Sequence, residues 1–416
     1  MSQIMIHNGT LINGRFPQPI PDAAVLIEDN KILNAGPAEI VQKPGEETHI
    51  IDAQGGTILP GLIDTHVHIM IEGVNIARDI MAPFSLRFYQ SVDHMQRTLN
   101  AGITSVRDAG GADLGLKQAV ESRLVAGPRL QISINALTIT GGHGDGWMPS
   151  GSEFTIFPPH PGLPDGRCDG RGGVRRKVRE MLRAGADIIK IHATGGVLSP
   201  TDHPQYTQFS PEELAIIVQE AAFHRGKKVM AHAQGAEGIK NAVRAGIHTI
   251  EHGIFLDDEG IDLMLEHGTI LVPTLLAPIG VLEAGAEGGM PEYGLRKSRE
   301  VIDAHKENTH RAYEAGVKIA MGTDAAVMPH GTNLRELGLL VEIGMSPMEA
   351  IKSATATAAE CLGWQDRLGT IEAGKLADLI ICKGDPLVDI HMLENNDNIK
   401  VVIQDGRIVK QKLSSE

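Results

Sequence analysis

Histidine, aspartate and lysine side chains that could share a metal ion are the first feature of this 416-residue sequence. His66 and His68 lie two apart in DTHVH; if that segment is a strand, its period of two puts both imidazoles on one face, able to reach one ion. Alone the pair is a weak signal, since HxH arises often by chance and among packed histidines. His232 ends KVMAHA, His252 ends TIEH and Asp324 lies in KIAMGTDA, each at the close of an apolar run. Neutral imidazole nitrogens and a carboxylate are the donor set that suits zinc and similar divalent ions. Cys168, Cys361 and Cys382 are widely separated with no CxxC pair, so neither a thiolate zinc site nor a disulfide framework is indicated.

Lys190, in DIIKIHA, sits late in an apolar strand-like run, where an unpaired ammonium is costly to bury. One resolution is a salt bridge to Asp324 or Glu251. The other is reaction of the deprotonated amine with carbon dioxide, giving a carbamate whose two oxygens can bridge two cations. Beside four histidines and an aspartate, the second reading is preferred. His192, two residues on, shares the face of Lys190 and is read as packed or supporting. Arg107 in SVRDAGG is read as pairing internally, with Asp108 or another carboxylate, and is left out of the site. His94, His224, His267 and His305 fall in amphipathic helical sequence and are read as solvent-facing or helix-end residues.

The elements that must bring these residues together form a regular series. Between about residues 58 and 363, apolar runs alternate with amphipathic segments, the pattern of repeated βα units. Eight candidate strands can be counted: ILPGLIDTHVH, ITSVRDAG, RLQISIN, DIIKIHA, KVMAHA, TIEHG, TILVPTL and KIAMGTDA. Eight such units over that length fit an α/β fold of the TIM (β/α)8-barrel type, whose active sites gather at the C-terminal ends of the strands. The candidate ligands all stand at such ends. Short strands broken by NG, DN and GG turns precede the barrel, and similar grammar returns after it. The expected organisation is therefore a small β-sandwich domain from residues 1–57 with 364–416, and a (β/α)8 barrel over 58–363. Residues 140–173 and 276–295 read as long loops, the kind that act as lids or binding segments.

Bulk properties remove several partner classes. The formal charge is −14, with 38 basic against 52 acidic side chains, and no Lys/Arg run offers a footprint for nucleic acid. No basic-then-apolar leader opens the chain and no run of about 18 apolar residues occurs, so a membrane partner is not expected and the reading is cytoplasmic.

The stretches GTILPGLIDTHVH, AGITSVRDAGG, TGGHGDGW, GADIIKIHATGGVLSPTD, VMAHAQG, TIEHGIFLD, MGTDA and GTIEAGKLADLIICKGDPL resemble the amidohydrolase superfamily in order and spacing over nearly the whole chain. Within it they resemble the binuclear-metal branch that is prolidase-like (Xaa-Pro and Xaa-Arg dipeptidases) and imidazolonepropionase-like. The resemblance implies two divalent metal ions, zinc by default. His66, His68 and Asp324 would bind the more buried one, His232 and His252 the second, and Lys190 as N6-carboxylysine would bridge them. Two metals sharing a water lower its pKa and supply hydroxide near pH 7. Asp324 would then pass a proton from this nucleophile to the leaving amine. His143 in TGGHGD, at the start of the first long loop, is placed to contact a substrate carbonyl oxygen.

The resemblance points to cleavage of a small-molecule amide, a dipeptide or N-acyl amino acid, by a homo-oligomer. Gln234 stands where several proline-selective members carry tyrosine, so it is a substrate-binding candidate and proline selectivity is in doubt. Rivals are a one-metal opening of a cyclic amide such as imidazolonepropionase performs, or hydrolysis of another amide, carbamate or ester. Deamination would want an HxxE arrangement, absent after His232. A non-catalytic assembly protein would have lost ligands, and none is lost here.

Overall fold

The computed structural model describes residues 3–41, 45, 47–73 and 75–413. In chain order its strands are β1 (Gln3–Leu11), β2 (Ile20–Glu28), β3 (Lys31–Pro37), β4 (His49–Asp52), β5 (Thr57–Pro60), β6 (Leu62–Val67), β7 (Ile103–Asp108) and β8 (Arg129–Ile132). Then follow β9 (Ala136–Leu137), β10 (Ile189–His192), β11 (Val229–Ala233), β12 (Thr249–His252), β13 (Ile270–Val272), β14 (Leu379–Cys382), β15 (Ile399–Gln404) and β16 (Arg407–Gln411). The chain divides into two compact units, one of residues 1–64, 95–106 and 331–416, the other of 65–94 and 107–330.

Both chain ends build one eight-stranded sheet in the first unit, in the order β16-β15-β14-β5-β1-β2-β3, with β4 paired in parallel to β1. The antiparallel pairing of β14 with β5 joins the C-terminal strands to the N-terminal ones. Alternation decides the faces. Ala23, Val25 and Ile27 of β2, Leu379 and Ile381 of β14, and Val401 and Ile403 of β15 enter one buried apolar cluster. Ala24 and Leu26 join Met5 and Val41 in another. Two hairpins close on two-residue turns, Asp29–Asn30 and Asp405–Gly406, with Asp29, Asp405 and Gly406 at positive φ, as primed turns require. A Cβ at Gly406 would lie 1.8 Å from the Asp29 carbonyl oxygen, so only glycine lets these two tips meet.

The second unit is of mixed α/β type. Five of its strands pair in parallel, in the order β13-β12-β11-β10-β9; β6, β7 and β8 form a separate sheet in that order. The segment around residues 319–325 forms parallel bridges on both sides, Leu271 to Ile319 and Val67 to Ala325. The Asp324 amide donates to the His66 carbonyl over 2.8 Å, and the Asp187 amide donates to that of Ile132 over 2.7 Å. β6 and β11 are buried at every residue, as parallel strands covered on both faces are. Register carries function directly. His192 lies opposite His232, and Ala233 opposite His252.

Four expectations need correction. The eighth expected strand, KIAMGTDA, is not a continuous strand and makes only single bridges, at Ile319 and Ala325. The run 57–67 is two strands, β5 and β6, broken at Gly61, where a Cβ would lie 2.3 Å from Thr104 Oγ1. Residues 276–295 are largely helical: one helix spans Leu276–Ala284 and another starts at Glu292 and runs to Glu314. Pro278 falls in the first turn of that helix, where a missing N–H costs no helical bond. His94 is buried in the helix Leu86–Asn100, with Nδ1 2.8 Å from the Ile69 carbonyl oxygen.

All three cysteines are free and buried. Burial pushes the thiols of Cys168 and Cys382 up to about 12, and only thiolate alkylates quickly. Native protein at pH 8 should thus resist iodoacetamide until unfolded in urea, as intact-mass measurement would read; rapid labelling of the native chain would show the thiols are reachable.

Candidate metal centre

His66 and His68 stand at the end of β6, two residues apart on one face, with their rings 5.6 Å apart. Each is fixed through Nδ1. For His66 the partner is Glu251 Oε2 at 2.7 Å, and for His68 it is the Gly110 carbonyl oxygen at 2.8 Å. An imidazole that donates from one nitrogen keeps its lone pair on the other, so both Nε2 atoms are left as ligands. They lie 3.5 and 3.3 Å from Asp324 Oδ1.

His232 is fixed the other way round, Nε2 against the Gly195 carbonyl oxygen at 3.0 Å, which leaves Nδ1. His252 Nδ1 meets Thr274 Oγ1 at 2.7 Å. Its ring is 4.6 Å from that of His232 and 5.2 Å from that of His66. His66, His252 and Asp324 each offer one ligand atom, all within 4.8 Å of one another. His252 and Asp324 both sit at positive φ, 74° and 60°, a conformation retained where the surrounding fold over-determines it.

Glu251 supports this group from behind. Its Oε1 accepts from Arg107 Nη2 at 2.9 Å, and Arg107 Nε donates to the Thr65 carbonyl at 2.6 Å; the guanidinium and carboxylate are fully buried. The internal partner of Arg107 is therefore Glu251. Asp108 instead receives the amides of Ile69, Gly110 and Ala112 at 2.8–3.1 Å, pinning the end of β7 to the loop after β6.

Electrostatics prepare the cluster for a cation. Burial, with Lys190 adding to it, lowers His66 to about 4, and burial with neighbouring histidines takes His232 and His252 well below the usual range. These imidazoles are neutral, as a ligand must be. His68 is raised, because Asp324 outweighs burial there. Burial opposes ionisation of Asp324, but the surrounding histidines hold its carboxyl well below the usual value. Glu251 is brought down to about 2 against burial by Arg107 and His66. Lys190, 2% exposed, is lowered to about 8 by burial. It makes no salt bridge among the described residues, and its polar contact is His66 Nε2 at 3.4 Å. Among the described residues the structure thus lacks the Lys190 ion pair that the alternative reading required, while the donor set fits a divalent cation centre.

Around these groups runs a cavity lined on one side by the 140–173 segment, including His143, Met148, Phe154 and Phe157, and on the other by Pro278, Val281 and Tyr293. His143 stacks on His232 with centroids 4.3 Å apart, and His192 meets both edge-on. Gln234 lines the cavity with its side-chain oxygen buried and without a hydrogen-bond partner. His305, expected at the surface, is 1% exposed; Nε2 contacts the carbonyls of His252 and Pro273 at 3.0 and 2.7 Å. Its helical spacing gave no hint of this, because burial of one turn of a long helix depends on what lies beside it. Glu251, Thr274 and Ser199 are likewise supports that only proximity reveals, although Glu251 is adjacent to a candidate ligand.

A sequence model described as the Amidohydrolase family matches residues 57–409, and the chain belongs to that family. Ochratoxinase of Aspergillus niger is 35% identical over 424 residues, covering 98% of this chain and 86% of that protein. Imidazolonepropionase of Sphingopyxis alaskensis is 26% identical over 421 residues, with 93% of each covered. Among solved structures, a Xaa-Pro dipeptidase with methionine bound in its active site matches at a TM-score of 0.89 and 39% identity, over 98% of this chain and 100% of that one. A prolidase complexed with N-methylphosphonate-L-proline matches at 0.90 and 37%, over 99% and 100%. The prolidase-like and imidazolonepropionase-like branch expected from the motifs is where the chain falls. Among the described residues no helix is long and apolar enough to cross a membrane.

Removing Arg107 would leave the Glu251 carboxylate buried without its cation. Arg107→Met is expected to cost about 3–5 kcal/mol of folding stability, read from urea unfolding midpoints; a loss under about 1 kcal/mol, the scale of an exposed pair, would show that the pair carries little of the fold.

Proposed function

We propose that this chain is a metal-dependent hydrolase that cuts the amide bond of a dipeptide or N-acyl amino acid. The carrying observation is the cluster of His66, His252 and Asp324 beside a buried Lys190 that has no carboxylate in salt-bridge contact. The strand series with its bridges to residues 319–325 is read as a (β/α)8 barrel over 58–363, and residues 1–57 with 364–416 as a small β-sandwich. His66, His68 and Asp324 would hold one divalent ion and His232 and His252 the other, with Lys190 bridging as carboxylysine; zinc suits these donors. When bound, the ions would acidify water and polarise the carbonyl under attack.

The chain's own groups supply the rest. Asp324, ionised and central to the cluster, accepts the proton of the attacking water on its carboxylate and returns it to the leaving nitrogen. His143 meets the substrate carbonyl from the first long segment, and Gln234 offers an amide beside it. A lysine lowered to about 8 gives up its proton more readily than an exposed one, and carbon dioxide reacts with the unprotonated amine. The dipeptidase and prolidase likenesses support an amino acid as the leaving group.

Activity of metal-loaded protein on dipeptides and N-acyl amino acids grouped by C-terminal residue, with metal content measured on the same sample, tests this. Turnover with about two ions per chain, the complement of a two-metal site, is expected; full loading with no turnover of any amide would overturn it. Lys190→Ala should lose metal and activity together, with partial rescue by short carboxylates. Wild-type affinity for two ions in that variant would remove the bridging role.

A further inference from the structure

Behind His143 lies a buried hydrogen-bonded chain that none of the proposed ligands uses. His143 Nδ1 is 2.9 Å from Ser199 Oγ and 3.5 Å from Asp202 Oδ2. The Ser199 hydroxyl donates to Asp202 Oδ1. Asp202 also accepts from Gln208 Nε2 at 3.2 Å and from the Gly196 amide at 3.3 Å, while Gln208 Oε1 accepts the His143 amide at 3.1 Å. A buried ammonium anchors the loop that carries these groups: Lys297 Nζ donates to the carbonyls of Gly196, Ser199 and Asp202 at 3.0, 2.8 and 2.7 Å. Ser199, Asp202, Gln208 and Lys297 are each at least nine-tenths buried.

Donor counting gives the chain a direction. A carboxylate only accepts, so the serine proton points to Asp202, and Ser199 Oγ is left to accept from the ring. Nδ1 is therefore the donor to Ser199, and Nε2, which needs a proton of its own to donate to a carbonyl oxygen, is the atom left to face the cavity. Rotation is blocked as well. The His232 ring stacks against His143, and a Cβ at Gly196 would lie 2.2 Å from the His143 ring, so the backbone there runs flush against the imidazole.

We propose that Asp202, acting through Ser199, is a positioning residue that holds His143 with Nδ1 bound and Nε2 presented to the substrate, in a loop locked by Lys297. This rests on the reading of His143 as a substrate contact. Partners of this kind, one step removed from the reacting group, typically carry about 10–100-fold in activity.

The test uses the metal-loaded protein and the variants Ser199→Ala, Ser199→Thr and Asp202→Asn. A slowly exchanging ring-proton resonance, assigned to His143 by its absence in His143→Gln, is expected in wild type and Ser199→Thr, lost in Ser199→Ala and lost or displaced in Asp202→Asn. In the two disrupted variants kcat should fall about 10–100-fold, with KM and metal content near wild type and the hydroxyl-retaining variant restoring both signals. An unchanged resonance and kcat in Ser199→Ala would overturn the proposal, as would loss of metal and stability in step with activity. Should the wild type cleave no amide at full loading, the proposed function fails, while the resonance still decides how His143 is held.

Discussion

A guanidinium, a carboxylate and an imidazole in series, Arg107 to Glu251 to His66, form the constraint on which the centre depends. None of the three is exposed by more than 1%, so each charge or polar nitrogen must find its partner inside the protein. Taking such groups out of water costs several kcal/mol per ion unless geometry is good and the remaining hydrogen-bonding capacity is used. Here it is used. Arg107 also reaches Thr65 and Thr249, and Glu251 spends both oxygens. One interaction thereby ties the ends of β6, β7 and β12 and sets which nitrogen of His66 faces the cavity.

That arrangement divides the buried charge into two layers. The rear layer, Arg107 with Glu251, is internally balanced. The front layer has an ionised Asp324, the imidazoles of His66, His232 and His252 kept neutral by burial, a His68 raised by Asp324, and Lys190, lowered to about 8. An ionised carboxylate beside unprotonated imidazole nitrogens supplies ligand atoms of the kind a divalent cation takes. Positive φ at His252 and Asp324 belongs to the same picture, because strand ends that turn sharply can aim a side chain at a shared point.

The cavity walls are less uniform than the centre. Phe157, 5.5 Å from the His68 ring, Met148 and Val281 make them apolar, while His143, His192 and Gln234 supply polar edges. Walls built from the 140–173 segment and from helices after β13 can vary without disturbing the strand ends, which agrees with relatives named for such different substrates as ochratoxinase and a Xaa-Pro dipeptidase. The strand ends that carry the cluster and the cavity walls thus come from different parts of the chain.

The ligand candidates could be read from the sequence because strands announce themselves locally: apolar β-branched runs with His66, His68, Lys190, His232 and His252 at their ends carry both periodicity and position. The motif likeness could be read for the same reason, since motif order survives in one dimension. Other features are properties of neighbours distant in sequence. Nothing local says that Arg107 chooses Glu251 over Asp108, that His305 is buried, or that Lys190 lacks an ion pair, because each depends on which side chains the crossing segments bring within about 3 Å. The helix at 276–284 was masked by the glycine-rich run that follows it in the same segment. Sequence alone therefore determined the kinds of donor and the strands that bear them. Tertiary structure decided their protonation, their free nitrogens and the second rank of residues that hold them, because desolvation and hydrogen-bond partnership exist only once the chain has closed around them.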